Sequence, residues 1–109
     1  MAYDEQLEER IRAILPDEPS IVSKKVFGGL AFMLDGNMAV GVSSDELMVR
    51  VGTDAFDDAV TADGVRPFDM SGKRMNGWIL VSDEAIAEEA DLGRWIDVGM
   101  AFAASLPPK

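Results

Sequence analysis

The fold turns on residues 30–51, which read Leu30-Ala31-Phe32-Met33-Leu34-Asp35-Gly36-Asn37-Met38-Ala39-Val40-Gly41-Val42-Ser43-Ser44-Asp45-Glu46-Leu47-Met48-Val49-Arg50-Val51. Asp35-Gly36-Asn37 interrupts the apolar run with residues that tolerate left-handed backbone angles, and so predicts a hairpin turn. Ser44-Asp45 predicts a second tight connection before another extended run, 46–51. Side chains along a strand alternate between two faces. Leu30, Phe32 and Leu34, then Met38, Val40 and Val42, then Leu47, Val49 and Val51 are therefore expected on one face, the core side. The opposite face carries Ala31, Met33, Ala39, Gly41, Met48 and Arg50. It is mostly small or apolar, where a solvated sheet face shows Thr, Lys and Glu.

Upstream, residues 21–34 hold two extended runs around Gly28-Gly29, a pair that suggests a bulge or sharp bend. Residues 4–15 read as an amphipathic helix, because Leu7, Ile11, Ile14 and Leu15 fall on one helical face. Pro16 and Pro19 end it, since proline lacks an amide hydrogen and clashes with the preceding turn. Downstream, Thr53 is expected to cap a short helix from Asp54 to about Val60. Extended pieces follow at 66–70 and 77–81, separated by the polar turn Ser71-Gly72-Lys73-Arg74. Strand 77–81 is apolar on both sides, with Trp78 and Leu80 opposite Ile79 and Val81. Ser82 and Asp83 open a further helical turn. The last helix is expected from Asp91 to about Ser105, with Leu92, Trp95, Ile96, Gly99, Phe102, Ala103 and Leu106 as its apolar stripe. The order is α-β-β-β-α-β-β-α, with residues 21–34 counted as one extended unit. Short connections favour antiparallel pairing, and the helices must cover the apolar face. The expected fold class is α+β, a two-layer sandwich of an antiparallel sheet with helices on one face. No repeat or linker divides residues 1–109, which read as a single domain.

The chain has 109 residues and a formal charge of −10. The acid is concentrated at the ends: residues 1–23 and 82–109 each carry −4, and residues 24–81 carry −2. Such a charge opposes long-range attraction to phosphate. There is no cysteine and no histidine. Ser–His and Cys–His nucleophilic pairs, thiolate sites and imidazole zinc sites are therefore unavailable. No dinucleotide fingerprint or phosphate loop is present. The N-terminus is acidic where a secretory signal would be basic, and the apolar runs are far too short to cross a bilayer. These features predict a cytoplasmic protein with no cofactor, no metal and no membrane contact.

Two surfaces stand out as candidate sites. The semi-apolar sheet face, represented by Met33, Met48, Arg50 and Trp78, reads as a partner or homodimer face. The basic residues Lys24, Lys25, Arg66, Lys73 and Arg74, with Arg50, read as a candidate anion patch in the least acidic part of the chain, with ordinary surface pairing to neighbouring Asp residues as the plainer alternative. Asp57-Asp58 and Glu88-Glu89 read as solvated helix faces, and Trp95 and Phe102 as core residues.

The segment Lys25-Val26-Phe27-Gly28-Gly29-Leu30-Ala31-Phe32-Met33 resembles the strand signature that opens the TfoX/Sxy N-terminal domain. Gly36-Asn37-Met38, Leu47-Met48-Val49-Arg50-Val51-Gly52, Arg66-Pro67-Phe68-Asp69-Met70 and Gly72-Lys73-Arg74-Met75-Asn76-Gly77-Trp78 continue the likeness. Arg94-Trp95-Ile96 and Ala101-Phe102-Ala103-Ala104-Ser105-Leu106-Pro107 complete it. The resemblance implies the same α-β-β-β-α-β-β-α sandwich, similar in outline to secretion chaperones. Full-length regulators of that family switch on competence genes together with a cyclic-AMP receptor protein, and carry a second, helical C-terminal domain. This chain is expected to be the N-terminal domain standing alone. The resemblance brings no catalytic residues. The first expectation is a non-enzymatic, regulatory protein-interaction module that binds a protein partner or itself. Nucleic-acid binding through the basic set is the second reading, and a carboxylate- or metal-dependent enzyme the third.

Overall fold

A computed structural model describes residues 4–16, 18–26, 29–70 and 73–108, with the backbone alone for Val26, Met70 and residues 73–76. Helix α1 (Glu5–Ile14) is followed by four strands, β1 (Ile21–Val26), β2 (Gly29–Leu34), β3 (Asn37–Ser43) and β4 (Glu46–Arg50). Helix α2 (Thr53–Ala59), strands β5 (Val65–Met70) and β6 (Lys73–Val81), a 3-10 turn (Glu84–Ile86) and helix α3 (Glu89–Ala104) complete the chain. The expected order is found, with the stretch 21–34 folded as a pair of strands. Gly28 lies outside the described residues. Gly29 is buried, and a Cβ there would overlap the Val42 carbonyl oxygen.

All six strands pair antiparallel in one open sheet, in the order β1-β2-β3-β4-β6-β5. The first four form a meander. The β2–β3 turn takes positive φ at both Asp35 (51°) and Gly36 (84°), which matches the right-handed strand twist. Ser44 also takes positive φ (58°) in the next turn. The chain then crosses through α2 to β5, and β6 returns into the gap between β4 and β5. At the end of that gap Gly77 bends β6 with φ 90°, and its carbonyl accepts from the amides of Val51 (2.9 Å) and Gly52 (3.1 Å).

One face of the sheet forms the core with all the helices. Leu30, Phe32, Val40, Val42, Leu47, Val49, Ile79 and Val81 cluster with Leu7 and Ile11 of α1, Phe56 of α2, Ile86 of the 3-10 turn, and Leu92 and Ile96 of α3. Each such side chain contributes about 1.5–3 kcal/mol when fully buried. Helix α1 starts where Asp4 Oδ1 accepts from the Gln6 and Leu7 amides, and the Asp4 amide donates to Ser44 O at 2.7 Å. The helix start is thereby tied to the β3–β4 turn. Helix α2 departs from expectation: Gly52, with φ 85°, is its cap, no side chain caps it, and Thr53 is already helical. Helix α3 presents Leu92, Ile96, Gly99 and Ala103 to the sheet, as expected.

The expected core set fails at one place. Phe32 pairs with Val40, but Met33 pairs with Met38 and Leu34 with Asn37. Ala39 is the extra residue of a β-bulge, which shifts the alternation by one. Met38 therefore shares Met33's face, and Asn37 turns to the core side, where it is 2% exposed. Its Nδ2 donates to Pro107 O at 2.9 Å, satisfying the buried amide and clipping the chain after α3 to the β2–β3 hairpin.

Candidate functional site

The helices share one cluster with the core face, so the other face of the sheet carries no helix among the described residues. Register places three rows of side chains on it. Val22, Met33 and Met38 form the first row. Lys24, Ala31, Gly41, Met48, Leu80 and Arg66 form the second, and Arg50 with Trp78 the third.

These rows differ in how far they seal themselves. Met48 (3% exposed) and Leu80 (4%) are buried although they stand outside the core cluster. Gly41 makes this possible, because a Cβ there would come within 3.0 Å of the Met48 Cε methyl. The Arg66 guanidinium reaches across β6 to Glu46, and the Arg66 stem leaves β5 in the same row as Leu80. The first row is more open. Met33 and Met38 are half-buried, and Val22 is 54% exposed, the highest of any large apolar side chain among the described residues.

Arg50 and Trp78 face each other across β4 and β6. The Arg50 guanidinium carbon lies 5.2 Å from the Trp78 ring centre and 5.3 Å from that of Phe102 on α3. Each stacking is worth about 0.5–2 kcal/mol, depending on solvent access. Phe102 can approach because Gly52 has no side chain; a Cβ there would overlap the ring. Arg50 thus joins the helix-free face to the C-terminal end of α3. Arg50 and Trp78 stand on the expected face, and Phe102, expected in the core from its place on the apolar stripe, joins them from α3. The available signal was Gly52, whose φ of 85° and missing Cβ both serve this contact.

Among the described residues, Lys24 and Lys25 do not share a patch with Arg66. Lys24 and Lys25 are exposed on β1, at one edge of the sheet, and Arg66 is exposed on β5, at the other. Five strand spacings separate them, on the order of 24 Å. The side chains of Lys73 and Arg74 lie outside the described residues. Asp57, Asp58, Glu88 and Glu89 are exposed, and Glu89 bonds Arg10. Among the described residues no three Asp or Glu side chains converge on a metal position, and no helix is long and apolar enough to cross a membrane.

A groove of about 240 Å³ opens between the end of α1 and β1, lined by Arg12, Leu15, Pro16, Glu18, Ile21 and Phe32 among others. Arg12 roofs it, 5.1 Å from the Phe32 ring centre, with Nη2 donating to Ser23 Oγ (2.9 Å) and Nε to Glu8 (2.9 Å).

No curated protein and no solved structure matches the chain. The profile of the TfoX N-terminal domain matches residues 13–103, from within α1 almost to the end of α3. That span contains every strand and the Arg50–Trp78–Phe102 stack. The chain belongs to the TfoX N-terminal domain family.

Proposed function

We propose that the protein is a non-enzymatic regulatory module that binds a protein partner through the helix-free face of its sheet. The observation that carries this reading is the asymmetry of the sandwich. One face is sealed by three helices, while the other presents Val22, Met33 and Met38 with no helix over them among the described residues, and the Arg50–Trp78 pair at its margin against Phe102. Methionine surfaces adapt to varied partners because the side chain is unbranched and polarizable. Family membership supports a regulatory role of the competence-activator type.

The test is affinity capture of tagged protein from its native cell, with Met33→Glu and Trp78→Glu as comparison variants. The wild type is expected to recover a complex containing transcription components, and each variant to lose it while far-UV circular dichroism stays unchanged. A complex that survives both substitutions would place the interface elsewhere. Light scattering on the purified chain separates a partner protein from a second copy. Nucleic-acid affinity that falls steeply with salt would instead support the second reading.

A further inference from the structure

We infer that the outer edge of β1 is a strand-addition site for an extended, acidic segment of another protein. The two edges of the sheet are built differently. Edge strand β5 contains Pro67, which cannot donate to a ladder, and its pairing with β6 breaks register between Pro67 and Asp69. Both features discourage a further strand. Edge strand β1 has neither. It contains no proline, and all six of its residues pair with β2 in unbroken register from Ile21–Leu34 to Val26–Gly29. A regular edge strand of this length offers a template of backbone donors and acceptors.

Strand addition also needs places for side chains that alternate between two faces. Both are present at β1. On the helix side is the groove floored by Phe32 and Ile21 and closed by Leu15. On the helix-free side is exposed Val22 beside half-buried Met33. The charge at this edge selects the occupant. Lys24 and Lys25 are exposed on β1 itself, in a chain whose net charge is −10. Opposite charges directly across a ladder stabilise it, and like charges destabilise it. Pairing β1 with β1 of a second copy would crowd four lysines into one short ladder, so the lysines oppose self-pairing and favour carboxylates. The occupant is a protein segment with two adjacent acidic residues to lie across from Lys24 and Lys25 and two adjacent aliphatic residues to lie across from Ile21 and Val22.

This site shares Val22 and Met33 with the helix-free face but pairs through the β1 backbone, and the experiment separates the two. Strand-length peptides from a random display library are selected on the immobilised full chain. The best binder is then tested in three ways. Amide hydrogen exchange is expected to show protection at residues 21–26. Peptides N-methylated at one set of alternate residues are expected to lose binding, and those methylated at the other set to keep it, because a strand pairs along one edge through alternate amides. Lys24→Glu with Lys25→Glu is expected to weaken binding roughly tenfold. Failure to enrich sequences that join an acidic pair to an aliphatic pair overturns the inference, as does equal tolerance of both methylation patterns. Protection centred on Met33, Met38 and Trp78 overturns it while leaving the face reading intact. A concentration-dependent dimer lost on Ser23→Pro, which removes an outward-facing amide, would assign the edge to a second copy and also overturn it.

Discussion

Gly99 stands over the bulge in β3, and a Cβ on it would lie 2.5 Å from Ala39 O and 2.6 Å from Val40 Cγ1. Gly93, on the same helix, would meet nothing within 4 Å. Alanine favours a helix over glycine by about 1 kcal/mol, so Gly93→Ala is expected to stabilise the protein by roughly that amount. Gly99→Ala is expected to do the reverse, losing about 1–3 kcal/mol as α3 is pushed from the sheet. Urea titration of both variants checks this, and a stabilised Gly99→Ala would refute the close approach. The sequence marks Gly99 as part of the apolar stripe but does not reveal why it must be glycine. The reason is the bulge at Ala39, which no local pattern announces. The same bulge made Met38 look like a core residue and hid Asn37. A polar residue just after a turn reads as turn chemistry, and its burial depends on a carbonyl far along the chain, at Pro107.

At the scale of elements, Arg10 joins the first helix to the last. Its Nη2 donates to Ile86 O (2.6 Å) and Ala87 O (3.3 Å), and its Nε to Glu89 Oε1 (2.8 Å). The carbonyls belong to the junction between the 3-10 turn and α3. A hydrogen bond from a charged donor contributes about 1.5–3 kcal/mol, whereas an ion pair to an exposed carboxylate adds only about 0–1 kcal/mol. Arg10→Ala is therefore expected to cost on the order of 2 kcal/mol. Arg10→Lys should recover little of it, because an ammonium cannot fork to two carbonyls while bonding Glu89. Glu89→Gln should change little. Equilibrium denaturation of the three variants measures this, and a Lys variant as stable as wild type would show that charge, not geometry, matters there. Helix and strand positions were legible because apolar spacing and prolines are local signals. The β5–β6 register was not, because the bend at Gly77 is fixed by amides at the end of β4. For the same reason the basic residues could not be sorted to opposite edges before the strand order was known.

Across the whole molecule, charge follows the two layers. The acidic ends of the sequence become α1 and α3, and Asp54, Asp57 and Asp58 add α2 to the same side. Only Arg10, Arg12 and Arg94 offset these carboxylates within the three helices. Self-repulsion among them is screened over about 10 Å at 0.1 M salt. Raising sodium chloride from about 20 mM to about 500 mM is expected to stabilise the fold by on the order of 1 kcal/mol, or about 4–8 °C in Tm. Calorimetry decides, and a Tm that falls with salt would show that attractive ion pairs dominate. The two-layer fold class was legible in full, since it needs only element type and a single apolar face. Which edges stay open depended on the crossover, and that has a consequence for synthesis. β5 leaves the ribosome with no neighbour to pair with, since its neighbour, β6, is made after it. The four-strand meander is older still, yet its greasy side waits for α3, which is made after all six strands. Burial of that side therefore cannot be completed until α3 has emerged, and a chain stalled before residue 89 would present it to chaperones.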